Sequence, residues 1–142
     1  MASKDSYSVS LIDTCSPDFE LGVKEMDGTH RELAALVNAL ATAKGCDFVH
    51  LFTTLFDHTE RHFAREKQLM EQSGFPAIGE HVAEHQRVLG ELHQCKRKVC
   101  KGEISFARAY ITDRLPEWFR LHIATMDSAL ASHLKLRETA QA

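Results

Sequence analysis

The sequence predicts an all-α protein: an up-down-up-down antiparallel four-helix bundle with an N-terminal extended arm. Three observations predict it. Apolar residues recur at helical spacing in four separate stretches. Gly45, Gly74 and Gly102 fall between those stretches, where helix-terminating glycines sit, and there are only 3 prolines. The intervening connections are short, which favours antiparallel neighbours.

Residues 1–22 read as an irregular or extended arm ending at Gly22. The first helix is expected from about Val23 to Ala43, with His30, Leu33, Val37 and Leu40 on one stripe. Asp47 is placed to cap the second helix, whose inner face reads Leu51, Leu55, His58, His62, Glu66 and Leu69. The break Ser73-Gly74-Phe75-Pro76 closes it. A third helix spans about Ala77 to Lys101 and turns His81, His85, Leu89 and Leu92 inward. Lys96-Arg97-Lys98 and Lys101 close that helix, where positive charge complements its dipole. The fourth begins near Ser105 and carries Ile111, Leu115, Trp118, His122 and Leu130. Pro116 lies inside it and either kinks it or marks the start of a new helix. The bundle then occupies residues 23–134, with a C-terminal tail at 135–142.

Composition narrows the function classes. The chain has 142 residues, 44% hydrophobic and 26% charged, with a formal net charge of -3. That length suits one domain, and nothing in the charge suggests nucleic acid. No apolar run approaches the roughly 20 residues of a membrane span, and the N-terminus lacks a signal-peptide core. Cys15, Cys46, Cys95 and Cys100 show neither a metal-binding spacing nor a disulfide framework. Free thiols and a cytoplasmic location are the expectation.

The chemistry lies in three motifs: His62-Phe-Ala-Arg-Glu66, His81-Val-Ala-Glu-His85 and His122-Ile-Ala-Thr-Met-Asp127, with His30 upstream. A spacing of four on a helix returns to nearly the same face, so His62 pairs with Glu66 and His81 with His85. Imidazole and carboxylate ligands without thiolates suit iron, manganese or zinc. Seven candidates overshoot the four ligands of a structural zinc site. Two carboxylates among five histidines suggest bridges between two ions, which partly neutralise cations that would be costly to bury unpaired. Glu-x-x-His, the pair used by oxygen-activating carboxylate proteins, is absent.

A lone histidine on a helix is more often a packed or surface residue than a ligand, and His30 by itself would be read so. Its position one helix ahead of the other motifs makes it a candidate ligand. Asp127, five residues after His122, falls about 140° around an α-helix and must reach across near the helix end. His50, His58, His93 and His133 are not expected to be ligands; His58, one turn before His62, is the nearest rival.

Taken together, these motifs resemble the hemerythrin signature from about Phe19 to Leu130, including Phe63 after the second-helix histidine and Trp118 and Ile123 around His122. The stand-alone bacterial members, the bacteriohemerythrins, are the nearest fit. The resemblance implies two iron ions (Fe2+/Fe3+) with an oxo or hydroxo bridge. His81, His85 and His122 would hold one ion, His30 and His62 the other, and Glu66 and Asp127 would bridge them. It implies reversible dioxygen binding for transport, storage or delivery, without turnover, in a monomer that meets an oxygen-consuming enzyme transiently. An oxygen, nitric oxide or redox sensor, or a di-iron enzyme such as a peroxidase or nitric oxide reductase, are the competing classes. Leu33, Phe63, Trp118, Phe119 and Ile123 are the oxygen-pocket candidates. Phe119 stands where the family's Trp-Leu-x-x-His-Ile pattern has leucine, which is expected to narrow access.

Overall fold

The computed structural model describes residues 11–141. The first ten residues of the expected arm lie outside the described residues. Four antiparallel helical columns form the bundle: α1 (Lys24–Leu40), α2 (Gly45–Ser73), α3 (Ile78–Cys100) and a segmented fourth column. That column consists of α4 (Ser105–Asp113), α5 (Leu115–His122), a π-helical turn (Ile123–Asp127) and α6 (Ser128–Gln141). The described residues contain no strand. No helix among them is long and apolar enough to cross a membrane.

Two elements differ from the sequence expectation at their ends. Asp47 does not cap α2, which begins two residues earlier with Lys44 at its N-cap and no side-chain cap hydrogen bond. Asp47 lies in the first turn instead, where its charge complements the helix dipole. At the other end Gly74 adopts φ 67°, and the Phe75 and Gly74 N–H groups reach back to the Met70 and Glu71 carbonyls. This left-handed cap satisfies the last carbonyls and brings Phe75 back onto Met70.

The fourth column is not one helix. Pro116 cannot donate a backbone hydrogen bond, and its ring crowds the preceding turn. The chain therefore breaks at Arg114 and restarts, leaving Pro116 in the first turn of α5 where no donor is needed. Beyond His122 the helix widens for one turn, and the Ser128 N–H donates to the Ile123 carbonyl five residues back. From Lys135 onward the chain continues α6 to Gln141 as helix.

The buried stripe of α2 is more aromatic than expected. Phe48, Phe52, Phe56 and Phe63 join Leu55, Thr59, His62, Glu66 and Met70 in the interior, whereas Leu51, His58 and Leu69 are half-buried at its edge. In α3 the interior takes Val88, Leu92, Cys95 and Val99, with Leu89 at the margin. Arg108 of α4 donates to the carbonyls of Leu40, Ala41 and Ala43 and so closes the C-terminus of α1.

The interior divides into two apolar clusters with a polar layer between them. The larger fills most of the bundle and includes Leu33, Val37, Leu40, Phe48, Phe52 and Leu92. The smaller, at the far end, holds Met26, Met70, Phe75, Leu130 and Ala131.

Residues 11–23 run as a chain of turns across the bundle. The Asn38 carboxamide exchanges two hydrogen bonds with the Ile12 backbone, at 2.9 and 3.1 Å. The buried Asp27 carboxylate accepts from the Leu21 and Gly22 N–H groups at 2.8 and 3.0 Å, and Lys135 donates to the Leu21 carbonyl. These ties hold Phe19 in the core.

Candidate metal centre

The polar layer is made by His30 of α1, His62 and Glu66 of α2, His81 and His85 of α3, and His122 and Asp127 of the fourth column. All seven side chains are buried. Helical spacing of four explains the two pairs on α2 and α3. The pair on the fourth column is explained by the π-turn. Its i to i+5 closure returns Asp127 to the face of His122, which an α-helix would not do. Asp127 thus reaches the layer from mid-column, and the expected reach near a helix end is not how it gets there.

The ligand atoms fall into two groups whose members all lie within 4.8 Å of one another: Glu66, His81, His85, His122 and Asp127; and His30, His62 and Glu66. The carboxylates divide their oxygens between the groups. Glu66 Oε1 lies 2.7 Å from His81 Nε2 and 3.4 Å from His85 Nε2, while its Oε2 lies 3.2 Å from His62 Nε2. Asp127 Oδ1 lies 3.1 Å from both His81 Nε2 and His122 Nε2, and its Oδ2 lies 3.0 Å from His30 Nε2. All five imidazoles turn Nε2 inward.

Several of these approaches are close without having hydrogen-bond geometry. His30 Nε2, Glu66 Oε2 and both Asp127 oxygens are buried with no hydrogen-bond partner. Orphaned buried polar atoms cost about 1–3 kcal/mol each. Atoms that converge without addressing one another are placed for a third body between them. The donor set fits two borderline cations such as iron, each bound by imidazoles and bridged by carboxylates.

Electrostatics without metal point the same way. Burial, reinforced by His30, pushes His62 down to about 3. Burial, with His81 and His122 nearby, likewise pushes His85 far down. Both are therefore neutral and carry a free lone pair, as ligands must. Burial and the Asp127 charge push Glu66 up to about 7. Burial alone would lower His81, but its contacts with Asp127 and Glu66 outweigh that and raise it to about 9. Burial would also raise Asp127, yet His122, His30 and His81 hold it well below the usual carboxylate range.

At neutral pH the pair formed by His81 and Glu66 thus holds a proton that a cation must displace. Metal binding is expected to release protons at pH 7 and to tighten as pH rises toward about 9, where His81 gives its proton up unaided. A pH-indicator dye in weak buffer reads the release; loading with no proton release would contradict the ligand role of this pair.

The surroundings of the two groups differ. Phe63 stacks on His85 at 3.7 Å between ring centroids, and Trp118 stacks on His122 at 4.6 Å. Half-buried Trp118 donates to Glu84 Oε1 at 2.7 Å and lies on the three-histidine side. Phe119 stands edge-on to His30 at 5.6 Å, with Leu33 and Ile123 buried in the same cluster. Phe19 from the N-terminal strap, residues 11–23, lies edge-on to both His30 and Phe119, at 6.4 and 6.5 Å. Sequence reading missed Phe19 as a wall of the site, because the strap has no periodicity to show which residues face inward. It also missed Asp27, whose only signal was its place in Met26-Asp27-Gly28-Thr29-His30. Of the histidines not expected to be ligands, half-buried His58 stacks parallel to His62 at 6.4 Å and approaches the Thr29 carbonyl and Glu32. His133 pairs with the Ser73 carbonyl.

The chain is similar to known proteins. Residues 21–134 match the Hemerythrin HHE cation binding domain. The chain is 35% identical over 122 residues to a bacteriohemerythrin of Ralstonia nicotianae, covering 86% of this chain and 88% of that protein. It is 25% identical to a bacteriohemerythrin of Stenotrophomonas maltophilia, covering 83% and 78%, and 23% identical to one of Methylococcus capsulatus, covering 80% and 95%. Among solved structures, a leucine-to-tyrosine mutant of hemerythrin superposes with a TM-score of 0.76 at 23% identity, covering 88% of this chain and 98% of that one.

Proposed function

Because the chain belongs to the hemerythrin family, we propose that it binds dioxygen reversibly at a non-haem di-iron centre and serves as a carrier, store or delivery protein. One observation carries this reading: two buried carboxylates each present one oxygen to each of two imidazole groups, and the groups are unequal. His81, His85 and His122 would hold one ion and His30 and His62 the other, with Glu66 and Asp127 shared. Iron held there would supply the electrons that bound dioxygen takes up and gives back on release.

The protein's own residues decide where that happens and what else is kept out. Three imidazoles would hold the ion on one side and two the ion on the other, so a small ligand would bind beside His30 and His62. Phe19 and Phe119, edge-on to His30, make that side apolar, and Leu33 and Ile123 are buried in the same cluster. An apolar wall disfavours charged species there, which opposes escape of superoxide and favours return of neutral dioxygen. This supports binding without turnover; delivery of dioxygen to an oxygen-consuming enzyme in the cytoplasm is part of the same proposal.

An anaerobic optical titration tests the proposal. Protein loaded with ferrous iron is expected to gain a charge-transfer band on exposure to oxygen and to lose it on purging with inert gas. Direct conversion to a stable ferric spectrum would overturn the carrier reading. Phe119 is expected to slow exchange, because its ring stands against His30 where a leucine would leave more space. Phe119→Leu should raise the dioxygen off-rate severalfold in stopped-flow displacement; an unchanged rate would remove Phe119 from the access path.

A further inference from the structure

The polar layer is walled by apolar side chains along most of its perimeter: Met26, Met70, Phe75 and Leu130 at one end, the larger cluster at the other, and Phe19 with Phe119 beneath the strap. A hydrated divalent cation crosses such layers only at high cost. Between α1 and α2 the wall changes character. A narrow cleft there runs from the exposed Glu25 and Arg65, its mouth, past Thr29, Met26 and Leu69 to the buried His62 and Glu66, its floor. His62 is also the most exposed of the seven clustered side chains, at 8% against 4% or less for the others.

The mouth is closed by one ion pair. Arg65 Nε lies 3.1 and 3.2 Å from the two Glu25 oxygens, and the same guanidinium is steadied by Gln68 Oε1 at 3.3 Å. The space beneath is about 10 Å³, at the lower limit for a single water molecule. Passage therefore requires the pair to part. Its members are 47% and 48% exposed, and exposed pairs of this kind are weakly held.

We propose that this cleft is the port through which the metal ions reach and leave the centre, with Glu25–Arg65 as its latch. The proposal rests on the dinuclear reading above. While the latch is closed, the Arg65 charge opposes an approaching cation. When it parts, the Glu25 carboxylate becomes an oxygen ligand at the mouth, one step from His62 and Glu66 at the floor.

The test compares metal-free full-length protein with three charge reversals: Arg65→Glu, Glu25→Arg, and Arg31→Glu as a control. Arg31 forms a similar exposed pair with Glu20, at 3.2 Å, across the strap. Cobalt(II) uptake is followed anaerobically by its d–d bands in a stopped-flow instrument, and iron content is measured at equilibrium. Arg65→Glu is expected to speed uptake about fivefold or more at low salt and Glu25→Arg to slow it comparably, both effects fading at about 0.5 M salt. Final iron content should stay the same in all four proteins, and Arg31→Glu should leave the rate unchanged. Full loading at rates indifferent to the charges at 25 and 65 would overturn the port alone, as would a larger effect from Arg31→Glu, which would put the passage at the strap. A parent chain that takes up one metal or none would overturn the dinuclear reading, and the port with it.

Discussion

Glu66→Gln is expected to cut iron loading from two ions per chain to one or none and to abolish the dioxygen-dependent band. Glu66 belongs to both ligand groups, with one oxygen 2.7 Å from His81 Nε2 and the other 3.2 Å from His62 Nε2. An amide keeps the shape but offers a single neutral oxygen, so it neither bridges two cations nor offsets their charge. The metal-free protein should respond in the opposite sense. Burial and the Asp127 charge raise the Glu66 carboxyl to about 7, so above that pH its ionised form is held in the core unfavourably. A group whose folded pKa is raised contributes least to stability at high pH. At pH 8 the metal-free Gln variant should therefore melt no lower than metal-free wild type. Loss of loading together with an undiminished metal-free Tm identifies a ligand role and separates it from a folding defect. Retention of two irons and a reversible band would remove Glu66 from the bridge.

Removing the metal should be the second large effect. Seven polar side chains lie buried between two apolar clusters, and four of their inward-facing atoms have no hydrogen-bond partner. Each ion that binds only the folded chain stabilises it by about 2.7 kcal/mol when free metal exceeds the dissociation constant about 100-fold, so two ions contribute about 5 kcal/mol. At about 3–5 °C per kcal/mol for a domain of this size, anaerobic chelation of both should lower the Tm by about 20 °C. The helical content should persist, because the larger apolar cluster contains none of the seven ligand candidates. Scanning calorimetry with and without chelator reads the shift. Identical transitions for the two samples would mean that the polar layer is satisfied without metal.

Much of the molecule was legible in the sequence because helices write their burial locally. His30, Leu33, Val37 and Leu40 formed a readable stripe, and all four are buried. His62 with Glu66, and His81 with His85, needed only a four-residue spacing to share a face. On α2 the reading slipped, because the run Phe48, Phe52, Phe56 competes with the stripe through Leu51, His58 and Leu69. Only the neighbouring helices decide which of two adjacent apolar stripes faces in.

What the sequence by itself determined was therefore the helical class, the short antiparallel connections and the identity of residues able to hold metal, all consequences of spacing within a single helix. Tertiary structure decided the rest. His122 and Asp127 share a face only because one turn widens to π geometry, a distortion that no α-helical period announces. Pro116 could have kinked a helix or begun one, and the break at Arg114 settled it. Phe19 became a wall of the site only through Asn38, Asp27 and Lys135 holding the strap. The division of each carboxylate between two imidazole groups is likewise a relation among different helices. Side-chain periodicity encodes direction within one helix, whereas bridging depends on distances between helices, which only packing sets.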